Sequence, residues 1–570
     1  MDFIKPSFLF KYFFALMFII GCQNKNSKRP ELVSLDLLTG DIALCGVPNF
    51  GEVGFPLSCK ESTNELFNLA ISLLHSFEHD EAEKVFAKVI DLDPNCPMAY
   101  WGVAMSKFHT LWRLPTVHQL ETGLMAIEIA RSIQNKSEKE TDYIDATANL
   151  YTDWDKVNHL TRTAKFANAM GIVYNKYPND KETGIFYAYA LLSAADLSDK
   201  TYKNQKEAGA ILEQLFPDQP NHPGIAHYII HSYDYPGLAH LALDAARKFA
   251  AIAPSSAHAQ HMPSHIFTRL GLWEESIQSN LNATDAAKCY AEQVEMEGNW
   301  DEEVHGTDYL GYAYLQVGKT NDAYELLEYF KSIKKINRIG YKSAYPSAAI
   351  PARFYLETRK WNDAAKHVMA SKDYPSEKFP WANGIVHFTR ILGALHTNNI
   401  EAAKKDFEQL NICHRYLLNE KKENLVKENS DYMANQVLIM VKAADAWIQY
   451  YEGKGDQALV LMEASAELEF QTEKNPVTPC EVYPAQELLG DLLMKMGKPS
   501  EALKAYELNL KIRPNRFNGI YGAAIAAKGI GDEKKTSMYF EMLLKLTELS
   551  DSDRPEIEEA REFIGQIKTN

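Results

Sequence analysis

Residues 68–94 read NLAISLLHSFEHDEAEKVFAKVIDLDP, and two later stretches repeat their pattern: LGYAYLQVGKTNDAYELLEYF at 310–330 and LLGDLLMKMGKPSEALKAYELNLKIRP at 488–514. Each opens with an amphipathic segment and breaks at a short turn. It resumes with an acidic or polar residue, an alanine, and an aromatic or aliphatic residue four places on. Apolar residues at three- and four-residue spacing mark one face of a helix, so each stretch is a helix, a turn and a second helix. From about Glu61 onward such paired segments follow one another, separated by breaks holding Pro, Gly or Asn, with no sustained strand alternation. The chain is expected to be all-α.

This unit resembles the tetratricopeptide repeat. The resemblance implies an α-solenoid in which units stack into a right-handed superhelix, because one unit cannot bury its apolar face alone. The second-helix alanine falls at Ala82, Ala242, Ser276, Ala323, Ala364, Ala458 and Ala502, with a degenerate unit around Thr536. The intervals from Ser276 to Ala323 and from Ala323 to Ala364 exceed the usual period of about 34, and the consensus first-helix tryptophan is missing. The expected order is a signal peptide over 1–21, a lipid-anchored tether and looped lead-in over 22–60, and N-terminal repeats over 61–140. An irregular helical region over 141–220, histidine-rich repeats over 221–375, C-terminal repeats over 376–549 and a capping helix over 550–570 complete it.

The N-terminus, MDFIKPSFLFKYFFALMFIIGC, places Lys5 and Lys11 before an apolar run from Tyr12 to Ile20 that is too short to span a bilayer as a mature helix. Its end, Ile19-Ile20-Gly21-Cys22, resembles a bacterial lipoprotein signal. That resemblance implies cleavage before Cys22, lipidation of its sulfur and new N-terminus, and a place at a membrane surface of the cell envelope. Buried acyl chains contribute about 0.8 kcal/mol per methylene. An N-terminal anchor with an incidental cysteine is the other reading of these residues.

With 570 residues, 46% of them hydrophobic and 24% charged, the chain is globular in composition and too long for one compact core. Its net charge of -16, without a Lys/Arg run, disfavours nucleic acid and anionic lipid as partners, since both are polyanions. Besides Cys22 there are Cys45, Cys59, Cys96, Cys289, Cys413 and Cys480, with no CxxC and so no cysteine zinc motif. Cys45 and Cys59 bracket a Gly/Pro-rich segment able to turn back on itself. They are the expected pair in an oxidising compartment, with free thiols as the alternative.

Seven of the seventeen histidines lie between His222 and His265. Measured back from Ser276, His258, His261 and His265 lie at 18, 15 and 11 residues; from Ala242, His227 and His231 lie at 15 and 11. From Ala323, His305, Asp308 and Tyr312 lie at 18, 15 and 11, and Arg353 lies 11 before Ala364. In tetratricopeptide repeats these offsets belong to the side of the first helix that lines the concave groove. The resemblance therefore implies a groove presenting His227, His231, Asp234, His258, His261, His265, Arg269, His305, Asp308, Tyr312 and Arg353. The i, i+4 spacings independently place each set on one helical face.

Pro263 and Pro351 share the offset of 13 from their markers. A proline there kinks the first helix and swings His258 and His261 toward the groove, or it begins a helix and leaves them in a preceding loop. His227, His231, His258, His261 and His265 are the candidate ligands of one transition-metal ion, since neutral imidazole is the commonest nitrogen ligand. Zinc, copper, nickel and iron all suit such a site. HYIIH lacks the glutamate of HExxH, so Asp234, Asp308 or Tyr312 would have to serve in its place, with the two aspartates as the candidate catalytic residues. No Gly-rich phosphate loop, nucleophile elbow or dinucleotide fingerprint occurs in the sequence.

AYWGVAMS at 99–106, HPGIAHYIIHSYDY at 222–235, HMPSHIFTRLG at 261–271, AAIPARFYLE at 348–357 and RPNRFNGIYGAA at 513–524 are similar to segments of a group of exported bacterial tetratricopeptide-repeat proteins. That likeness implies architecture and a site, not a reaction. The expected function is a membrane-anchored scaffold binding a peptide, protein segment or small ligand in the histidine-rich groove, with Trp447, Tyr450, Tyr451, Glu487 and Asp491 extending its surface. The competing expectation is a metal-dependent, hydrolase-like enzyme built on the same groove. An open trough favours the first and an enclosed site the second.

Overall fold

A computed structural model describes residues 35–569 except 44, 46–48, 110, 112–113, 197, 371–373, 375–377, 424–429 and 473–476. The signal peptide and Cys22 lie outside the described residues. The chain divides into two units, 1–36 and 37–570, and every described helix belongs to the second.

That second unit is an α-solenoid. Its helices run in succession from Asn64–His75 to Pro555–Thr569, and the strand content among the described residues is a two-residue parallel bridge joining Asn299–Trp300 to Ile336–Asn337. The stretch at 68–94 forms the helices Asn64–His75 and His79–Leu92, whose buried faces carry Phe67, Ile71, Leu74, Ala82, Phe86 and Ile90. Each large apolar side chain among them contributes roughly 1.5–3 kcal/mol on burial.

The aromatic residue four places after the marker alanine has a defined task. Phe86 lies against Gly102 of the next helix, where an added Cβ would stand 2.3 Å from the ring. Tyr506, four after Ala502, is sandwiched between Gly490 and Gly522, where added Cβ atoms would stand 2.7 and 2.4 Å away. Glycine at these points lets helix backbones approach a ring that would otherwise hold them apart.

The solenoid also packs against itself. Trp273 Nε1 donates to the Asn515 carbonyl at 2.7 Å, Asn515 Nδ2 donates to the Gly271 carbonyl at 3.1 Å, and buried Arg516 donates to the Tyr312 hydroxyl at 2.8 Å. The lead-in returns along the middle repeats, where Asn49 N donates to Ser255 Oγ and Glu52 N to the Asn221 carbonyl. The disulfides trace that path. Cys45 pairs with Cys289 and Cys59 with Cys96, so the expected Cys45–Cys59 bridge does not form. From Asn49 onward the lead-in is held against residues distant in sequence, Ser255 and Asn221, rather than against itself.

The expected open groove is corrected in the same way. His305, Asp308 and Arg353 are between 1 and 4% exposed, so they are interior residues rather than groove lining, whereas Tyr312, also buried, borders a cavity. The segment after the helix Gly455–Gln471 covers them: the carbonyl of Cys480 accepts from Tyr345 Oη and Arg353 Nη2, and that of Thr478 from Tyr309 Oη. Nor do the C-terminal candidates all extend a surface. Trp447 is fully buried, and Glu487 is buried against Arg516, while Asp491 accepts from the hydroxyls of Tyr483 and Tyr506.

Candidate metal centre

The two prolines act differently. Pro263 stands at the first turn of Pro263–Leu270, and His258 and His261 precede it in a separate helical turn, Ala257–His261, capped by Ser256. They are not in a loop. Pro351 lies inside the helix Tyr341–Glu357, which runs through it.

The five candidate ligands do not form one site. With His305 they divide into two triads, His227/His231/His258 and His261/His265/His305, and within each triad one nitrogen per ring lies within 4.8 Å of the others. All but half-buried His231 are at most 7% exposed.

In the second triad His261 Nδ1 is 2.7 Å from Asn280 Oδ1, and Asn280 Nδ2 donates to the Ser276 carbonyl, which fixes the amide orientation. His265 Nδ1 is 3.0 Å from Asp234 Oδ2. Each Nδ1 therefore carries a proton, and each ring in its neutral form turns an Nε2 lone pair inward. Those two Nε2 atoms are 3.0 Å apart. Two lone pairs at that distance repel unless a positive charge lies between them. A proton bridges two nitrogens, whereas a metal ion serves the third imidazole, His305, as well.

The first triad repeats the geometry. His227 Nδ1 donates to the His75 carbonyl at 2.6 Å, leaving one Nε2 lone pair that faces His231 Nε2 at 3.0 Å and His258 Nε2 at 3.1 Å. One lone pair cannot accept from two neighbours, but one cation can be shared by all three. Nitrogens on a tetrahedral ion with bonds of about 2.0–2.1 Å lie about 3.3 Å apart, close to these separations. Burial pushes the His227 imidazole down to about 3 and His258 well below its ordinary value, keeping both in the neutral form that ligates.

A third group, His75, His222 and Glu182, also brings ligand atoms together. It is a structural knot. Glu182 Oε1 accepts from His222 Nε2 at 2.8 Å, Oε2 accepts from His75 Nε2 at 3.2 Å, and Tyr228 Oη donates to His75 Nδ1 at 2.9 Å. These contacts are complementary without a cation. Burial opposes ionisation of Glu182, but the two histidines overcome it and hold the carboxyl down to about 2.

The candidate proton carriers are engaged elsewhere. Asp234 accepts from His265 and from Arg269 Nε at 2.9 Å, so it orients one of the candidate ligands. Asp308 is buried against Arg353; burial raises its pKa despite the guanidinium. Arg269 also borders a cavity of about 370 Å³ lined by Lys200, Tyr202, Trp273, Tyr312 and Arg513. A hydrogen-bonded chain Arg269–Asp234–His265 thus connects the cavity wall to the second triad.

Asn280 stands four places after the marker Ser276, where the other units hold an aromatic or aliphatic residue, a departure that could have marked it, whereas Phe77 carries no spacing cue. Phe77 adopts φ +59°, a backbone conformation rare for a bulky residue, and its ring lies 4.3 Å from that of His227 and 5.6 Å from those of His231 and His258.

No curated protein matches the chain. Among solved structures it is similar to the human IFIT1 dimer with PPP-AAAA, at 12% identity over 84% of this chain and 90% of that one, with a TM-score of 0.32. It is also similar to Naa15/Naa10 bound to HypK-THB, at 10% identity over 89% of this chain and 91% of that one, with a TM-score of 0.24. The tetratricopeptide-repeat family matches residues 66–96 and 483–516, so the α-solenoid carries tetratricopeptide repeats near both of its ends.

Proposed function

We propose that the chain is a metal-binding tetratricopeptide-repeat protein of the bacterial cell envelope, held at a membrane surface through lipidated Cys22. It takes a small ligand or peptide end in the cavity beside Arg269. One observation carries the metal reading: His261 and His265 face each other through Nε2 atoms 3.0 Å apart while their Nδ1 atoms donate to Asn280 and Asp234. Metal-bound histidines characteristically donate their second nitrogen to a carboxylate or carbonyl oxygen, which fixes the tautomer and ring orientation. Three imidazoles leave a coordination position open. Zinc, copper, nickel and iron suit this donor set. The two disulfides support an exported location, because such bonds persist in oxidising compartments. The net charge of -16 opposes a polyanionic partner.

The enclosure of the triads favours a second reading, a metal-dependent hydrolase. A bound ion would supply Lewis acidity toward water or a carbonyl, and Arg269 and Lys200 at the cavity would orient an acidic substrate group.

Elemental analysis of the detergent-solubilised full chain, purified without a histidine tag, tests the metal. The expected result is stoichiometric metal that falls in His261→Ala and His265→Ala; protein that neither carries nor takes up zinc, copper, nickel or iron refutes it. Fatty-acid labelling of wild type against Cys22→Ala tests the anchor, with label expected in wild type alone.

A further inference from the structure

We infer that the metal site is duplicated: the two histidine triads are one site built twice, a repeat apart, and the chain holds two transition-metal ions side by side. This rests on the metal reading above. The two triads have the same construction. Each takes an i, i+4 pair at 15 and 11 residues before the marker of its repeat, carried by the helix Pro223–Tyr233 in the first triad and split between Ala257–His261 and Pro263–Leu270 in the second, and a third imidazole 18 residues before the marker of the next. His227 and His231 are thus completed by His258, and His261 and His265 by His305.

The outer hydrogen bonds are repeated too. In each triad a histidine donates from Nδ1 to an oxygen outside it, the His75 carbonyl in one and Asn280 and Asp234 in the other. Each triad has its own aromatic ring against all three imidazoles. Phe77 serves the first, and Tyr309 serves the second at centroid distances of 4.8, 4.9 and 5.4 Å from His261, His265 and His305. Excluding water in this way strengthens ligation at both sites.

Adjacency arises from the helix Ala257–His261, which contributes His258 to one triad and His261 to the other. Residues three apart on a helix have Cβ atoms about 5–6 Å apart. The ions then lie within about one helix spacing, 8–10 Å, of each other. In the next repeat the same offsets hold Asp308 and Tyr312, and the position 18 before Ala364 is Pro346, so the series ends after two sites. Beyond it the Asp308–Arg353 ion pair occupies the corresponding interior position.

The all-imidazole donor set defines the ligand as a first-row ion that prefers nitrogen. Asp234 and Asp308 are already paired with arginines, so neither is an uncommitted carboxylate able to offset two dications. Small bridging or terminal anions, such as hydroxide, would complete the open positions.

The test uses copper(II) and zinc(II) salts alone, each added in excess to metal-stripped full chain and removed from solution by desalting. Two ions per chain are expected in wild type, one each in His231→Ala and His305→Ala, and none in the double variant. His258→Gln is a second probe of the first triad and should also retain one, with helicity by circular dichroism confirming the fold of each variant. The copper(II) protein should give a dipolar-coupled electron paramagnetic resonance spectrum, and each single-triad variant the spectrum of an isolated ion. One ion per chain in wild type, lost in either variant, would overturn the duplication while leaving a single metal site standing. Two ions with uncoupled spectra would overturn their adjacency. No bound ion in any form would remove the metal reading itself.

Discussion

His265 and Asp234 are joined by a 3.0 Å contact from Nδ1 to Oδ2, and Asp234 is in turn held by Arg269 Nε at 2.9 Å. The carboxylate fixes which nitrogen of His265 bears the proton, and so which one faces His261. A residue outside the triad thereby sets the orientation of its imidazole.

Asp234→Asn should therefore lower metal affinity by about 10- to 100-fold, the usual effect of losing such an outer partner. Competition with a chromophoric chelator measures it. Unchanged affinity would show that His265 is oriented by packing alone.

Glu182 should make the N-terminal repeats sensitive to acid. Its carboxyl is held down to about 2 in the folded chain, below the ordinary 4.5. A depressed carboxyl contributes stability that is fully present above the unfolded value and is lost as pH falls from about 4.5 toward 2. Replacing it with glutamine removes one of the two oxygens that accept from His75 and His222, leaves a buried N–H unmatched, and should cost about 1–3 kcal/mol at neutral pH. Thermal melts across pH 2–7 should show a flatter acid limb in Glu182→Gln than in wild type.

Peptide mapping without reduction should recover the linked pairs Cys45–Cys289 and Cys59–Cys96 and no Cys45–Cys59 product. Cys45→Ser combined with Cys289→Ser should lower stability by about 2–5 kcal/mol, because the bridge closes a loop spanning 244 residues. A melting temperature unaffected by reductant would contradict this.

Gly522→Ala should destabilise the C-terminal repeats by about 1–3 kcal/mol through overpacking, since the new Cβ would stand 2.4 Å from the Tyr506 ring. Calorimetry of the variant checks it. The paired change Gly522→Ala with Tyr506→Leu should recover part of the loss if the ring is the cause.

The helical class and the repeat pattern were legible in residues 68–94 and 488–514 because helix pairing is local. Three- and four-residue spacing declares an apolar face, and the alanine and aromatic positions declare the packing of neighbours. The same periodicity displayed His227 with His231 and His261 with His265 as i, i+4 pairs on one face each. Local spacing does not say which third residue joins each pair. His258 and His261 lie three residues apart yet serve different triads, and His305, read from the sequence as groove lining, completes the second. That division arises from how consecutive first helices stack, a relation between residues 27 to 44 positions apart. Neither Cys45 with Cys289 nor the Cys480 carbonyl against Arg353 has a sequence signature, because each contact joins segments far apart in the chain that meet only once the solenoid has formed. Burial of Asp308, Tyr312 and Arg353 has the same origin: a first-helix face that is polar in sequence becomes interior once the segment at 477–484 covers it.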